Sequence, residues 1–460
     1  MTGSVRAPCA APEVAEAVLA APPAPCEQDK GKPFVDTYID KVNNESKPSG
    51  IPKRMFIAAL ETIRSRENDN LLWLVVETDT GIAGLGEAFF APGAVDTFLH
   101  EIVAPLVLGR DATRIGAINR ELTRYPVGYA SSGVEMRAAA ALDIALWDCL
   151  GQKAGLPLHT LLGGRARDTI RIYNTCAGPH YVTKARSPDV DAWFGRDRDL
   201  QALDDLHAFE HEPERLAREL LDEGITGMKI WPFDRAAFAN GGVGITGPQI
   251  QEGLRVFQRI RAAVGTEMDL MVEMHALWDL TSAKQIIRAV ETVDPLWIED
   301  PVRMDDTRAL QELSRFTRIP LLASETLAPA ASFAPLIGSG APGIVCFDPG
   351  WCGGVTQARA ICEMAAAAQL PVAAHDCTGP VGFVAGTHLS MWAPTAMIQE
   401  TVRAYLRGWY ADVVTELPVI DKGRLFPLNG SGLGTKLKPE FLAAASTSRR
   451  RSGVAQTPAM

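Results

Sequence analysis

The sequence lacks the features that mark membrane proteins, nucleic-acid-binding proteins and thiolate metal sites. No apolar run approaches the roughly 18 residues that a membrane-spanning helix needs, so we expect a soluble protein with no membrane partner. A net charge of −10 and a pI near 5.4 give no general attraction for polyanions, which argues against a nucleic-acid partner. The eight cysteines are dispersed without a CxxC pair, a pattern that predicts reduced structural thiols in the cytoplasm.

The N-terminal residues have little of what builds a folded core. Residues 1–52 are rich in alanine and proline, then polar, and they lack the basic leader of a secretory signal. We therefore predict a disordered or loosely attached extension. The whole chain has 47% hydrophobic and 22% charged residues over 460 positions, which predicts a large core divided between more than one domain.

Residues 53–166 are predicted to form an α+β capping domain. Apolar and polar residues alternate, as is typical of antiparallel strands, in two segments, RMFIAALETIRS and NLLWLVVETDTGIAGLGEA. An alanine-rich helix is predicted to follow and to end at Gly155. Residues 407–442 contain further strand signals and are predicted to return and complete this domain. Residues 443–460, which include three consecutive arginines, are predicted to be a disordered tail.

Between these segments, residues 167–406 alternate short apolar runs with helical stretches. The eight strand candidates are TIRIYNTCA, ITGMKIW, DLMVEMH, PLWIED, PLLASE, GIVCFDP, PVAAHD and AMIQE. The predicted fold class is therefore α/β: a (β/α)8-type (modified TIM) barrel with an α+β capping domain formed by N-terminal and C-terminal segments. The charged stretch 179–213 is predicted to be an insertion over the barrel.

Three glutamates, Glu273, Glu299 and Glu325, end consecutive strand candidates at a spacing of 26 residues. Because the carboxyl ends of parallel strands open to one face of a barrel, we expect these carboxylates to converge. Crowded carboxylates are costly unless a cation neutralises them, and oxygen ligands without thiolates favour Mg²⁺. His275 stays open as a fourth ligand.

The second, sixth, seventh and eighth strand candidates also end in ionisable residues, and the third carries another one after Glu273. These are Lys229, His275, Asp348, His375 and Glu400, and the two-residue strand period turns His275 to the same side as Glu273. Any one of them is equally well explained as a solvated or helix-capping group. Their joint occurrence at successive strand ends predicts an active site.

These motifs resemble the enolase superfamily, specifically its mandelate racemase-like subgroup, over about residues 53–442. The resemblance is carried by the segments VEMH, IEDP, ASET, FDPGWCGG, AAHDCTGP and GMKIW. The histidine that follows the first ligand, together with the histidine of the seventh strand, looks most like the D-galactonate dehydratases and related acid sugar dehydratases.

The resemblance implies removal of a proton α to a carboxylate, with Mg²⁺ held by the three glutamates. His375 would be the base, and Asp348 would bond to its far nitrogen. His275 would be the acid that expels the β-hydroxyl. Lys229 would stabilise charge on the substrate carboxylate, and Glu400 would hydrogen-bond that carboxylate, which requires a protonated Glu400 or one shared with the metal field.

One departure from the sequence motifs of the subgroup disfavours one of the reactions that the subgroup catalyses. Members with a base on the second strand carry Lys-x-Lys, whereas this chain has Trp231 two residues after Lys229. Trp231 cannot accept a proton, so a two-base racemase is disfavoured. Candidates for the pocket wall and for substrate specificity are Phe89, Phe90, Pro92, Arg124, Tyr125, Tyr129, Trp278 and Trp351.

The leading hypothesis is a Mg²⁺-dependent acid sugar (aldonate) dehydratase, a hydro-lyase that gives a 2-keto-3-deoxy acid. Two alternatives stay open: a cycloisomerase of an anhydro-sugar acid or lactone that uses the same base, and a non-catalytic scaffold that binds a metal or a carboxylate. The expected partners are a small acid sugar and, by resemblance, further copies of the chain in a homo-oligomer.

Overall fold

An antiparallel sheet opens the computed structural model, which describes residues 54–123, 132–183, 203–305 and 307–454. Its first strands are β1 (Ile57–Ser65), β2 (Leu71–Thr78) and β3 (Ala83–Phe89), paired in that order. The helices of this capping domain are α1 (Pro92–Phe98), α2 (Ala104–Val107), α3 (Ile115–Leu122), α4 (Val134–Ala154) and α5 (Leu158–Leu161), with a π-helical turn Leu99–Val103 between α1 and α2. Arg124, Tyr125 and Tyr129 lie outside the described residues.

The helix α4 lies directly on β3 because two glycines of that strand leave room for its backbone. A Cβ at Gly84 or Gly86 would come within 2.0 or 1.9 Å of the carbonyl oxygen of Ala145 or Ala141. The alanines of α4 bring the two backbones into this contact, and Gly155 ends the helix in the left-handed conformation. The predicted alanine-rich helix is confirmed.

Eight parallel strands form the barrel. They are β4 (Ile170–Thr175), β5 (Gly227–Ile230), β6 (Asp269–Glu273), β7 (Trp297–Glu299), β8 (Leu321–Ala323), β9 (Ile344–Phe347), β10 (Val372–Ala374) and β11 (Ala396–Thr401). Each pairs with the next, and the pairing of β11 with β4 closes the ring. The eight predicted strands and the predicted fold class are confirmed.

Helices cover the outside of the ring. They are α6 (Asp205–His211), α7 (Pro213–Asp222), α8 (Asp234–Asn240), α9 (Gly247–Val264), α10 (Leu280–Val290), α11 (Thr307–Phe316), α12 (Ala330–Gly338), α13 (Val355–Ala367) and α14 (Pro380–Trp392), with a 3-10 turn Glu291–Val293. The sequence sets several of their starts: Thr246 and Gln249 form a capping box at α9, and Asp279 caps α10. Within the described residues, no helix combines the length and apolar character needed to cross a membrane.

The C-terminal part differs from the prediction. After α15 (Arg403–Leu406) and α16 (Tyr410–Val413), the hairpin of β12 (Val419–Asp421) and β13 (Arg424–Phe426) pairs with β4. It therefore extends the barrel sheet and does not enter the capping sheet. Residues 407–442 still contact the capping domain: the Leu433 N–H donates to Asp148 on α4 at 2.8 Å, and the Phe441 ring lies 4.8 Å from the Trp73 ring on β2.

The strand that completes the capping sheet lies farther on, after α17 (Pro439–Ala443). The predicted disordered tail is wrong for residues 443–454, because β14 (Thr447–Gly453) pairs antiparallel with β1, and residues 455–460 lie outside the described residues. The arginine run supplies the reason: Arg449 and Arg451 form ion pairs with Glu61 of β1 and Glu77 of β2. A charge run without visible partners in the local sequence thus finds acids far away in the chain.

A buried carboxylate of the capping domain anchors the barrel helix that follows β10. Glu87 on β3 accepts hydrogen bonds from the backbone N–H groups of Val381 (3.3 Å) and Gly382 (3.0 Å) in the first turn of α14, and from Trp73 Nε1 (2.8 Å). Burial raises the pKa of Glu87 to about 7. The site needs a glycine, because a Cβ at Gly379 would lie 2.4 Å from this carboxylate.

A second carboxylate anchors the helix that follows β9 in the same way. Asp143 on α4 accepts from the Thr356 N–H (2.9 Å) at the start of α13 and from Asn119 Nδ2 (2.8 Å). Burial raises the pKa of Asp143 to about 7, and a Cβ at Gly354 would lie 2.4 Å from it. Both loops that lead from β9 and β10 are therefore tied to the capping domain by hydrogen bonds from helix N-termini to buried carboxyl groups.

Candidate active site

The three predicted metal ligands lie together at the carboxyl ends of β6, β7 and β8. Glu273 and Glu299 are register partners on adjacent strands, and Glu325 follows β8 by two residues. All three are buried. One oxygen each of Glu299 and Glu325, together with Cys346 Sγ on β9, lie within 4.8 Å of one another and could hold a metal ion.

Lys229 reaches into this cluster from β5. Its Nζ atom lies 2.8 Å from Glu299 Oε1, 2.9 Å from Glu400 Oε1 and 3.3 Å from Glu273 Oε2. Burial lowers the pKa of Lys229, but the charges of Glu299 and Glu400 outweigh it and raise the pKa well above its usual value. The alternative of a surface lysine is wrong, because the side chain is buried among carboxylates.

The carboxylates fit a divalent cation. Burial and the charge of Glu273 hold the pKa of Glu299 well above its usual range, so one ammonium group does not balance the cluster. Among the described residues, Glu273 Oε2 and Glu325 Oε2 are buried without a hydrogen-bond partner, which leaves oxygen lone pairs for a hard metal ion. Burial raises the pKa of the Cys346 thiol well above its usual range, which disfavours a thiolate ligand.

The predicted catalytic base, His375, and its predicted partner, Asp348, lie together at the ends of β9 and β10. His375 Nδ1 and Asp348 Oδ2 are 2.7 Å apart, and His375 Nε2 lies 3.8 Å from Glu325 Oε1. Burial lowers the pKa of His375, but Glu325, Glu400 and Asp348 outweigh it and raise the pKa to about 10. Positive charge bound by Glu325 would oppose this rise and leave Nε2 free to accept a proton.

His275 forms a second pair with an aspartate that the sequence prediction missed. His275 Nδ1 lies 2.7 Å from Asp234 Oδ2, and Asp234 is fully buried at the start of α8. Strand β6 ends at Glu273 and His275 has φ of 47°, so the two-residue strand period does not place it; the turn and Asp234 do. Its backbone N–H donates to Glu273 Oε1 at 2.7 Å, which keeps it beside the carboxylates. The only sequence signal for Asp234 was its place directly after a catalytic strand.

Glu400 lies 2.9 Å from the Lys229 ammonium, which favours its charged form, the second of the two states that the sequence left open. Burial raises its pKa, but Lys229 and His375 outweigh it, and the pKa falls below the usual value. The charged group also accepts hydrogen bonds from the Asp376 N–H (2.9 Å) and from the Thr175 hydroxyl, which the sequence did not indicate. Its oxygens are therefore engaged by donors of the protein.

Aromatic side chains lie beside both histidines of the site. The Trp231 ring lies 5.5 Å from the His275 ring, and the Trp351 ring lies 5.1 Å from the His375 ring. Phe89 of the capping domain stacks on Trp351 with ring centres 5.9 Å apart, and Phe90 lies at 6.0 Å. The predicted pocket-wall positions Phe89, Phe90 and Trp351 are thus brought together, whereas Trp278 and Pro92 are buried without a described contact to the two histidines.

Known proteins match this chain over most of its length. Residues 52–163 match the mandelate racemase/muconate lactonizing enzyme N-terminal domain, and residues 212–441 match the enolase C-terminal domain-like family. A crystal structure of an enolase of the mandelate racemase subgroup from Agrobacterium tumefaciens is 42% identical and covers 87% of this chain and 100% of that chain, with a TM-score of 0.77. An enolase protein from Sargasso Sea environmental sequencing is 40% identical over 87% and 99% of the two chains, with a TM-score of 0.77. A D-galactonate dehydratase of Pectobacterium atrosepticum is 27% identical over 385 residues, which are 82% of this chain and 91% of that protein.

Proposed function

The chain belongs to the mandelate racemase/muconate lactonizing enzyme family of the enolase superfamily, and from this premise we propose that it is a Mg²⁺-dependent acid sugar dehydratase. The predicted resemblance is confirmed. The proposed reaction removes the α-proton and the β-hydroxyl of an aldonate-type polyhydroxy carboxylate and gives a 2-keto-3-deoxy acid. The observation that carries the proposal is the presence of two His–Asp pairs beside one carboxylate cluster.

His375 is the proposed base. Asp348 holds its Nδ1–H, which fixes the tautomer and leaves Nε2 as the proton acceptor on the side of the metal ligands. Lys229 adds positive charge where the substrate carboxylate gains electron density. Mg²⁺ held by Glu273, Glu299 and Glu325 would supply further neutralisation of that charge as a Lewis acid.

His275 is the proposed acid. Burial lowers its pKa, but Asp234 and Glu273 outweigh it and raise the pKa, so the ring holds a proton for the leaving group. The C–O bond at the β-carbon breaks as this proton joins the oxygen, water leaves, and the resulting enol becomes the 2-keto product. A charged acid is most useful when hydroxide must be expelled, which favours a dehydratase over the cycloisomerase alternative.

Unsatisfied donors support a substrate rich in oxygen atoms. The indole Nε1 atoms of Trp231 and Trp351 are buried beside the two histidines and find no acceptor within the described residues. A buried N–H without an acceptor costs about 1–3 kcal/mol, so these donors favour a ligand with hydroxyl groups. Curated relatives named D-galactonate dehydratase agree with an acid sugar of this kind.

The test uses purified protein with Mg²⁺ and a panel of aldonic and aldaric acids, with detection of 2-keto-3-deoxy product. The same reactions in D₂O, followed by proton NMR, separate the two histidines. We expect His275→Asn to exchange the α-proton of recovered substrate without eliminating water, and His375→Asn to do neither. His211→Asn, an exposed histidine on α6, is the matched control.

Two results would contradict the proposal. If the His375→Asn variant still turned over substrate, His375 would not be the base. Ring opening of a lactone or anhydro acid without any dehydration across the panel would instead identify the cycloisomerase. A cytoplasmic location and a homo-oligomeric state remain predictions from the sequence and the resemblance.

A further inference from the structure

Arg137 on α4 carries a guanidinium group that the described part of the chain leaves partly unsatisfied. Its Nη1 atom is closed off from solvent and has no hydrogen-bond acceptor among the described residues. Burial lowers the pKa of Arg137 to about 10, against the effect of Asp348, so the group is charged at neutral pH. Because a buried N–H of a charged group is costly without an acceptor, a ligand atom is the natural partner.

Arg137 stands next to the proposed base. Its Cζ atom lies 4.1 Å from the centre of the Trp351 ring, and that ring lies 5.1 Å from the ring of His375. Stacking on an indole uses the face of the guanidinium and leaves its edge of N–H groups for hydrogen bonds. The side chain is therefore held in position by Trp351 while Nη1 stays available.

The position of Arg137 indicates which end of the substrate this side chain contacts in the proposed function. Lys229 and the three glutamates belong to barrel strands or their ends; in the proposed function Lys229, and Mg²⁺ that the glutamates would hold, bind the reacting carboxylate. Arg137 belongs to the capping domain. A substrate that extends from Lys229 past His375 and Trp351 brings its opposite end to Arg137.

We propose that Arg137 binds a second carboxylate at the far end of the substrate, so that aldaric acids are preferred over aldonic acids. The proposal rests on the acid sugar dehydratase function and moves the preferred substrate from a sugar monoacid to a sugar diacid. A guanidinium donates two parallel hydrogen bonds to a carboxylate, whereas the terminal hydroxyl of an aldonate carries no negative charge and cannot accept this pair of bonds in the same geometry.

The test compares kcat/KM for matched pairs of an aldaric and an aldonic acid with the same hydroxyl configuration. We expect wild-type protein to favour the diacid, and Arg137→Met to lower the diacid-to-monoacid ratio about 10- to 100-fold. Arg137→Lys keeps the charge but not the paired donors, and an intermediate ratio is expected. Arg318→Met, at an exposed arginine on the loop before β8, is the matched control and should keep the wild-type ratio.

Two outcomes would overturn the proposal: a wild-type ratio of one or less, or equal loss for both acids in Arg137→Met, which would mean that Arg137 only supports Trp351. Titration calorimetry with His375→Asn protein and Mg²⁺ measures diacid binding without turnover. The same titration is repeated after Arg137→Met is added. If no acid sugar is turned over but diacid binding depends on Arg137, the dehydratase proposal fails and the carboxylate site stands. If diacid binding is the same with Met at position 137, the carboxylate site is excluded.

Discussion

Replacing Glu87 by glutamine should change how the stability of the protein depends on pH. The folded protein raises the pKa of Glu87 from 4.5 to about 7 through burial, so the folded state binds this proton more tightly than the unfolded state. Its contribution is therefore fully present below pH 4.5 and is lost as the pH rises through 7. A shift of this size corresponds to about 3 kcal/mol at about 1.4 kcal/mol per pKa unit.

Glutamine stays neutral at every pH, so Glu87→Gln removes this pH-dependent contribution to the free energy of unfolding. We expect the free energy of unfolding of the variant, minus that of wild type, to rise by about 2.5 kcal/mol from pH 5 to pH 8, since Glu87 of the unfolded state is already partly ionised at pH 5. Urea denaturation at several pH values, followed by tryptophan fluorescence, measures the difference, and Trp73 is a direct reporter because it donates to Glu87. Glu67→Gln, at an exposed turn between β1 and β2, is the control. A difference that stays constant between pH 5 and pH 8 would refute the reasoning.

Three further changes test other parts of the molecule. Asp234→Asn should lower kcat for dehydration about 10- to 100-fold while α-proton exchange in D₂O continues, because only His275 loses its partner; loss of exchange would contradict this. Lys229→Met removes the cation shared by three buried carboxylates, so urea denaturation in chelator should show a loss of about 3–5 kcal/mol that added Mg²⁺ largely recovers; a loss that Mg²⁺ leaves unchanged would not fit. Ending the chain at Ala445 removes β14 and should cause association by light scattering, since β1 then presents an open edge, whereas ending it at Val454 should not.

The sequence predicted the barrel well because buried parallel strands have a simple signature. The strands are short and mostly apolar, and at seven of the eight an ionisable residue at or just beyond the strand end is easy to see. The cluster of Glu273, Glu299 and Glu325 and the pair formed by His375 and Asp348 follow from that pattern and from the family motifs. Burial and topology together thus determined which residues meet.

The parts that the sequence did not predict depend on distant partners. Asp234 is one of many acids near a helix start, and only the fold shows that it meets His275. The charge state of Glu400 depends on where the Lys229 ammonium lies. The arginines of β14 resemble any solvated run until Glu61 and Glu77 are seen opposite them. Such long-range charge pairing leaves no periodic signal in the chain.

The two cap carboxylates that occupy the N-termini of α13 and α14 also set rules for recombining this protein with its relatives. Glu87 needs Gly379 and the first turn of α14, and Asp143 needs Gly354 and the first turn of α13. A chimera that takes the capping domain from one parent and the barrel from another divides both pairs. Functional hybrids should therefore be those in which each acid is inherited together with the glycine that faces it.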